Sequence, residues 1–150
     1  MSHQQLDMLT DLARDARDQA GKLLAQERQT QQQTEAQLHS LNRYRVEYAE
    51  RLQQAMRDGI DPATMYNYQQ FLASLDAALS RARQALAAQQ ASVQQSQKNW
   101  QQEQRKLSSY DTLASRRLLE EHRRSERHEQ KTNDDLVTSR LARQHNDTPH

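Results

Sequence analysis

Apolar side chains recur along this chain in steps of three and four, and the longest run of that pattern begins at Met65. From there it passes through Tyr68, Leu72, Leu75, Leu79, Ala82, Leu86, Gln89, Val93, Ser96, Trp100, Glu103, Leu107, Tyr110, Ala114 and Arg117. A repeat averaging 3.5 residues keeps one stripe facing a partner helix, whereas an ideal helix of 3.6 residues per turn drifts off it; the spacing therefore predicts a coiled-coil helix. An earlier run, Leu6, Leu9, Ala13, Ala16, Ala20 and Leu23, predicts a first helix over about residues 3–57. A polar interval from Gln26 to Gln37 follows, with Ala36 as its one apolar residue. The repeat then resumes one residue out of step at Leu38, Leu41, Arg45, Tyr48, Leu52 and Ala55. That offset predicts a four-residue stutter and a loosened pairing across the interval.

Between the two patterned stretches lies Gly59-Ile60-Asp61-Pro62. Glycine can take the left-handed conformation that ends a helix, aspartate can cap the next one, and proline fits a first helical position where no N–H is needed. So short a connection makes the two helices antiparallel. The expected fold class is all-α, a long antiparallel two-helix coiled-coil hairpin with helix one over about 3–57, a turn at 58–61 and helix two over about 62–130. The turn sets Ala20 against Trp100, Ala13 against Leu107, Leu41 against Leu79 and Leu9 near Tyr110, small side chains opposite large ones. Beyond Leu118 the second helix has no partner; Arg116 to Lys131 is charged on every side and is expected to be a solvated helix. Residues 132–150 are expected to form a disordered tail, leaving residues 1–131 as the hairpin domain.

Composition supports an elongated pairing over a globule. The 150 residues include two Gly and two Pro, with 34% hydrophobic and 27% charged, too little apolar material for a globular core of that size. A two-helix seam needs apolar side chains at only two positions in seven. The absence of Cys excludes disulfides and thiol chemistry. No run of about 18 apolar residues is present, and Met1-Ser2-His3-Gln4-Gln5 lacks the basic-then-apolar order of a signal peptide, so the expected compartment is the cytoplasm, without membrane insertion. A net charge of +1 offers no overall attraction to nucleic acid. The arginines at 116, 117, 123, 124 and 127 are interleaved with Glu120, Glu121, Glu126 and Glu129, which cancel most of their field.

Candidate chemistry is sparse. His122 and Glu126 stand four apart on a helix but have no third ligand, so no metal site is expected. Neither a Gly-rich phosphate loop nor a nucleophile elbow occurs, and the expectation is a protein without enzymatic activity or cofactor. The surplus is aromatic: Tyr44, Tyr48, Tyr66, Tyr68 and Phe71 cluster around the turn. A second stripe on helix one reads Gln37, Leu41, Tyr44, Tyr48, and one on helix two reads Phe71, Leu75, Ala78, Ala82. Tyr44 and Phe71 stand outside the seam register and should be half exposed, as a protein-binding patch or as the contact for a third helix in self-association.

Tyr66-Asn67-Tyr68-Gln69-Gln70-Phe71-Leu72, the upstream Gln37-Leu38, the Tyr44-Arg45-Val46-Glu47-Tyr48 segment, Leu9 with Leu12-Ala13, and the Gly59-Ile60 turn resemble the bacterial flagellar type III export proteins of the FliJ family over about residues 5–120. The resemblance implies a stalk-like coiled coil of the flagellar export apparatus, peripheral at its base, that binds the hexameric export ATPase ring, promotes its assembly and couples it to the membrane export gate. Export chaperones are implied as further partners, and the free chain is expected to be a monomer. The family's gate-binding face falls on Gln37, Leu41, Tyr44, Tyr48, Phe71, Leu75 and Ala78, with Ala82 standing where the family can carry a histidine. The end that meets the ATPase falls on Leu9, Leu12, Ala13 and Ala16, with Leu107, Tyr110 and Ala114 opposite. Two alternatives are an equivalent stalk in a virulence type III secretion system and a self-associating structural coiled coil.

Overall fold

A computed structural model describes the backbone of residues 2–146 and the side chains of residues 2–144. The described residues form two helices, α1 (His3–Asp58) and α2 (Pro62–Asn146), in an all-α helical hairpin. α1 starts at a reciprocal cap: the Gln5 N–H donates to Ser2 Oγ at 3.1 Å, and the Ser2 N–H donates to Gln5 Oε1 at 3.0 Å. These two bonds satisfy donors that a helix start otherwise leaves to water. α1 ends with Arg57 in its last turn, where a cation suits the carbonyl end of the helix dipole. Gly59 follows with φ at +94°, and Pro62 opens α2 as the Met65 N–H donates to the Asp61 carbonyl at 3.1 Å.

A Cβ at Gly59 would meet nothing within 4 Å, so the residue's role is wholly conformational. Gly59→Val is therefore expected to destabilise the protein by about 1–2 kcal/mol through backbone strain, and Gly59→Asn by less, as read from urea unfolding midpoints. Equal midpoints for the parent and the valine variant would show that the turn tolerates another conformation.

The chain divides into two units. One, Arg14–Gln104, holds the turn and most of the paired length. Contacts across it run antiparallel: Arg17 with Gln104, Gly21 with Trp100, Glu27 with Ser96, Arg45 with Asp76 and Tyr48 with Phe71. Its seam on α1 is Arg17, Ala20, Leu24, Glu27, Gln31, Thr34, Leu38, Leu41, Arg45, Tyr48, Leu52 and Ala55, all buried or half-buried. That is an unbroken alternation of threes and fours, so the expected stutter is absent. Leu24 is 7% exposed and Leu23 48%, and the polar residues Glu27, Gln31 and Thr34 carry the repeat through the interval. Ser96 donates its hydroxyl proton to Glu27 Oε2 across the seam, and Thr34 donates to the Thr30 carbonyl within α1, so both buried hydroxyls are satisfied. The α2 side follows the expected positions from Met65 to Glu103 without slippage. Trp100 meets Gly21, one residue beyond the expected Ala20; its ring atoms would lie 3.3 Å from a Cβ there, a proximity that only glycine allows without displacement.

In the other unit, the start of α1 lies with α2 from Arg105 onward. Leu6, Ala13 and Leu107 are its buried residues. The tail expected to be disordered from residue 132 is instead helical through Asn146, and residues 147–150 lie outside the described residues. α2 contains no glycine or proline after Pro62, and within the stretch Thr132 and Thr138 donate to the carbonyls of His128 and Asp134 at 2.9 Å, so no local signal stops the helix. Residues 118–144 are exposed on all sides.

Candidate partner-binding face

Tyr44, Tyr48, Arg51 and Ala55 recur at intervals of four, three and four along one side of α1, in the unit that holds the turn. Across from them, Thr64, Asn67, Phe71 and Ala78 line the same side of α2. The two rows meet where the Tyr48 and Phe71 rings lie 4.3 Å apart between centroids, inclined at 45°. Tyr44 is 48% exposed and Phe71 41%, as their place outside the seam register required. A shallow groove of 180 Å³ opens between Tyr48, Thr64, Asn67, Tyr68 and Phe71. Its walls are largely ring and methyl carbon.

Of the seven residues expected on this face, Gln37 is exposed, and Leu41, Tyr48 and Ala78 are half-buried. Leu75, at 8% exposure, belongs to the seam. Arg45, also in the seam, reaches across to Asp76 in a fork, with Nε to Oδ1 at 2.8 Å and Nη2 to Oδ2 at 3.5 Å. The hydrogen bond to Asp76, and then the carboxylate's charge, raise the Arg45 pKa above its ordinary value. A raised pKa gives stability that is present below the ordinary arginine range and lost only in strong alkali, so no pH dependence near neutrality comes from this guanidinium. The pair favours the alignment that brings Asp76 opposite Arg45, modestly, because both side chains keep much of their surface in water. That alignment also places Phe71 beside Tyr48.

The residues expected to meet an ATPase are mostly half-buried, with two of the seven buried. In the unit built from the start of α1, Ala13 and Leu107 are buried, Leu9, Tyr110 and Ala114 half-buried, and Leu12 exposed. Ala16, in the unit that holds the turn, is half-buried. The exposed Met8, one helical turn before Leu12, went unread in the sequence; its i,i+4 spacing from Leu12 was the available signal. Arg51, too, was missed, because an isolated arginine on a helix reads as solvated. His122 and Glu126 lie 2.9 Å apart and engage each other. Among the described residues no three potential metal ligands gather, and no helix is long and apolar enough to cross a membrane.

A paired-helix unit with half-exposed rings beside its turn is the arrangement that comparison with known proteins puts in context. The sequence model of the flagellar FliJ protein family matches residues 1–146. The chain belongs to the flagellar FliJ family. Flagellar FliJ proteins of Salmonella typhi and of Escherichia coli strain K12 are 35% and 34% identical to this FliJ-family chain over 125 residues, 81% of its length and 85% of theirs. A solved structure of a YscO homologue from Chlamydia trachomatis matches its fold with a TM-score of 0.62, covering 96% of this chain and 93% of the other at 14% identity. Membership in the FliJ family makes the chain a component of the flagellar export apparatus that interacts with the export machinery.

Proposed function

We propose that within this apparatus the protein is a non-enzymatic, stalk-like coupling element, bound at one end to the hexameric export ATPase and through its ring-bearing face to the cytoplasmic part of the membrane export gate. The observation that carries the proposal is the pair of rings outside the seam. Tyr44 and Phe71 stand outside the seam register and stay 48% and 41% exposed, although Phe71 also packs on Tyr48 across the pair. Large, half-exposed aromatics are the side chains from which protein interfaces draw most of their energy. Gln37, Leu41, Tyr48 and Ala78 extend the face along the helices, and Leu75 supports it from beneath. For the ATPase, the exposed Leu12 with Met8 is the accessible contact, while Leu9, Ala13, Leu107, Tyr110 and Ala114 hold that unit together. Ala16 contributes to the seam of the other unit. Ring assembly of the ATPase and contacts with export chaperones belong to the same reading, as does a position in the cytoplasm at the base of the apparatus.

The purified chain is expected to raise the hydrolysis rate of the cognate export ATPase and to form a one-to-one complex with the gate's cytoplasmic domain. Enzyme-coupled phosphate release and sedimentation velocity measure the two. Unchanged hydrolysis together with independent sedimentation would overturn the proposal, and self-association in the second experiment would favour the structural coiled coil instead.

A further inference from the structure

Arg51 recurs in phase with Tyr44 and Tyr48 near the groove, and its surroundings set it apart from Arg45. Arg45, six residues earlier on α1, is engaged by Asp76. Arg51 has no carboxylate within ion-pair distance among the described residues, and its guanidinium carbon instead sits 4.9 Å above the centroid of the Tyr48 ring. Stacking on a ring holds the plane of a guanidinium while leaving its N–H edge free to donate. The same Tyr48 ring lines the apolar groove with Thr64, Asn67, Tyr68 and Phe71. Tyr48 therefore carries both contacts, the guanidinium over its ring and the apolar depression beside it, and brings the two into one neighbourhood. Cavities of about 150 Å³ hold a molecule the size of benzene, so the 180 Å³ groove has room for one bulky apolar side chain.

We propose that Arg51 and the groove form a single two-part receptor for a segment of the gate partner that carries a bulky apolar side chain next to a carboxylate. The inference rests on the gate-binding reading and specifies the chemistry of what binds. The apolar side chain enters between Tyr48, Tyr68 and Phe71 and displaces poorly held water. The carboxylate accepts from the guanidinium edge, a planar pairing that Lys cannot reproduce with its single ammonium. Arg51 thus acts as a specificity-determining residue: a partner with a basic group beside its apolar anchor is repelled from a groove it would otherwise fit.

The test is calorimetric titration of the full chain with the gate's cytoplasmic domain at low and at high salt. Three variants enter it, Arg51→Met, Arg51→Lys and Arg51→Glu, each checked for parent-like helicity. Arg51→Met keeps much of the apolar stem over Tyr48 and is expected to bind roughly threefold to tenfold more weakly at low salt, with a flatter salt dependence. Arg51→Lys retains the parent's salt dependence with an intermediate affinity, and Arg51→Glu binds more weakly than Arg51→Met. Parent-like affinity and salt dependence in Arg51→Met, with the parent itself binding, would overturn this inference and leave the gate-binding reading standing. A parent chain that does not bind the gate domain would overturn both.

Discussion

Alanine at both Tyr44 and Phe71 is expected to weaken binding of the export gate's cytoplasmic domain by about a hundredfold or more, with helicity close to that of the parent. Truncating an anchoring aromatic at an interface commonly costs about 2 kcal/mol or more, so two such losses pass a hundredfold once they add by about a third. The cost to the fold is smaller. Both residues keep 48% and 41% of their surface in water, so only part of the usual burial energy is at stake in the free protein. Phe71 also gives up its contact with Tyr48, worth about 0.5–1.5 kcal/mol, and alanine's better helix propensity returns part of that. Leu75 is unsuitable for the same experiment, because a residue 8% exposed supports the seam and its truncation would confound lost binding with lost pairing. Titration calorimetry and thermal circular dichroism on the same samples separate the two. Parent-like affinity in the double variant would remove this face from gate recognition, and a collapse of helicity would show that the rings hold the helices together.

How much of the fold could be read from the chain depends on how its apolar residues are distributed. On α2 the seam positions from Met65 onward are mostly Leu, Ala or aromatic, so their spacing alone selects one phase, and the polar exceptions Gln89, Ser96 and Glu103 fall into line. On α1 the neighbouring Leu23 and Leu24 fit two phases equally well by hydropathy. Counting apolar residues favours Leu23, because the positions that extend Leu24's phase are Glu27, Gln31 and Thr34, which carry no hydrophobic signal. Their burial depends on what lies across the seam, such as Ser96 for Glu27, and such pairings are long-range information. The same limit explains Gly21, which reads as a weak helix residue until Trp100 is placed against it. Tyr44 and Phe71 were legible for the opposite reason, since large apolar side chains off the seam stand out in the spacing itself. Arg51 was not, because what distinguishes it is the ring beneath its guanidinium. The continuation of α2 to Asn146 follows from an absence of breakers, which a reading based on apolar periodicity undervalues.

Leu24→Ala is expected to destabilise the unit that holds the turn by about 2–3 kcal/mol, and Leu23→Ala by less than about 0.5 kcal/mol. The two substitutions remove the same atoms one residue apart, so the contrast isolates register. Leu24 is one of four buried apolar residues in that unit, with Leu75, Leu79 and Ala82, and its loss leaves a gap at the edge of the polar interval. There the seam is already poor: Glu27, Gln31 and Thr34 follow on α1, and Gln89 on α2 buries a side-chain oxygen, Oε1, that has no hydrogen-bond partner among the described residues. Polar side chains in the seam contribute little pairing energy, so this segment has little stability to spare and should open first when Leu24 is cut back. Urea unfolding followed by circular dichroism gives the two free energies, and amide hydrogen exchange locates the loss at residues 24–38 and their counterparts on α2. If Leu23→Ala proves the more damaging, the repeat changes phase before residue 38 after all, and Glu27, Gln31 and Thr34 face water.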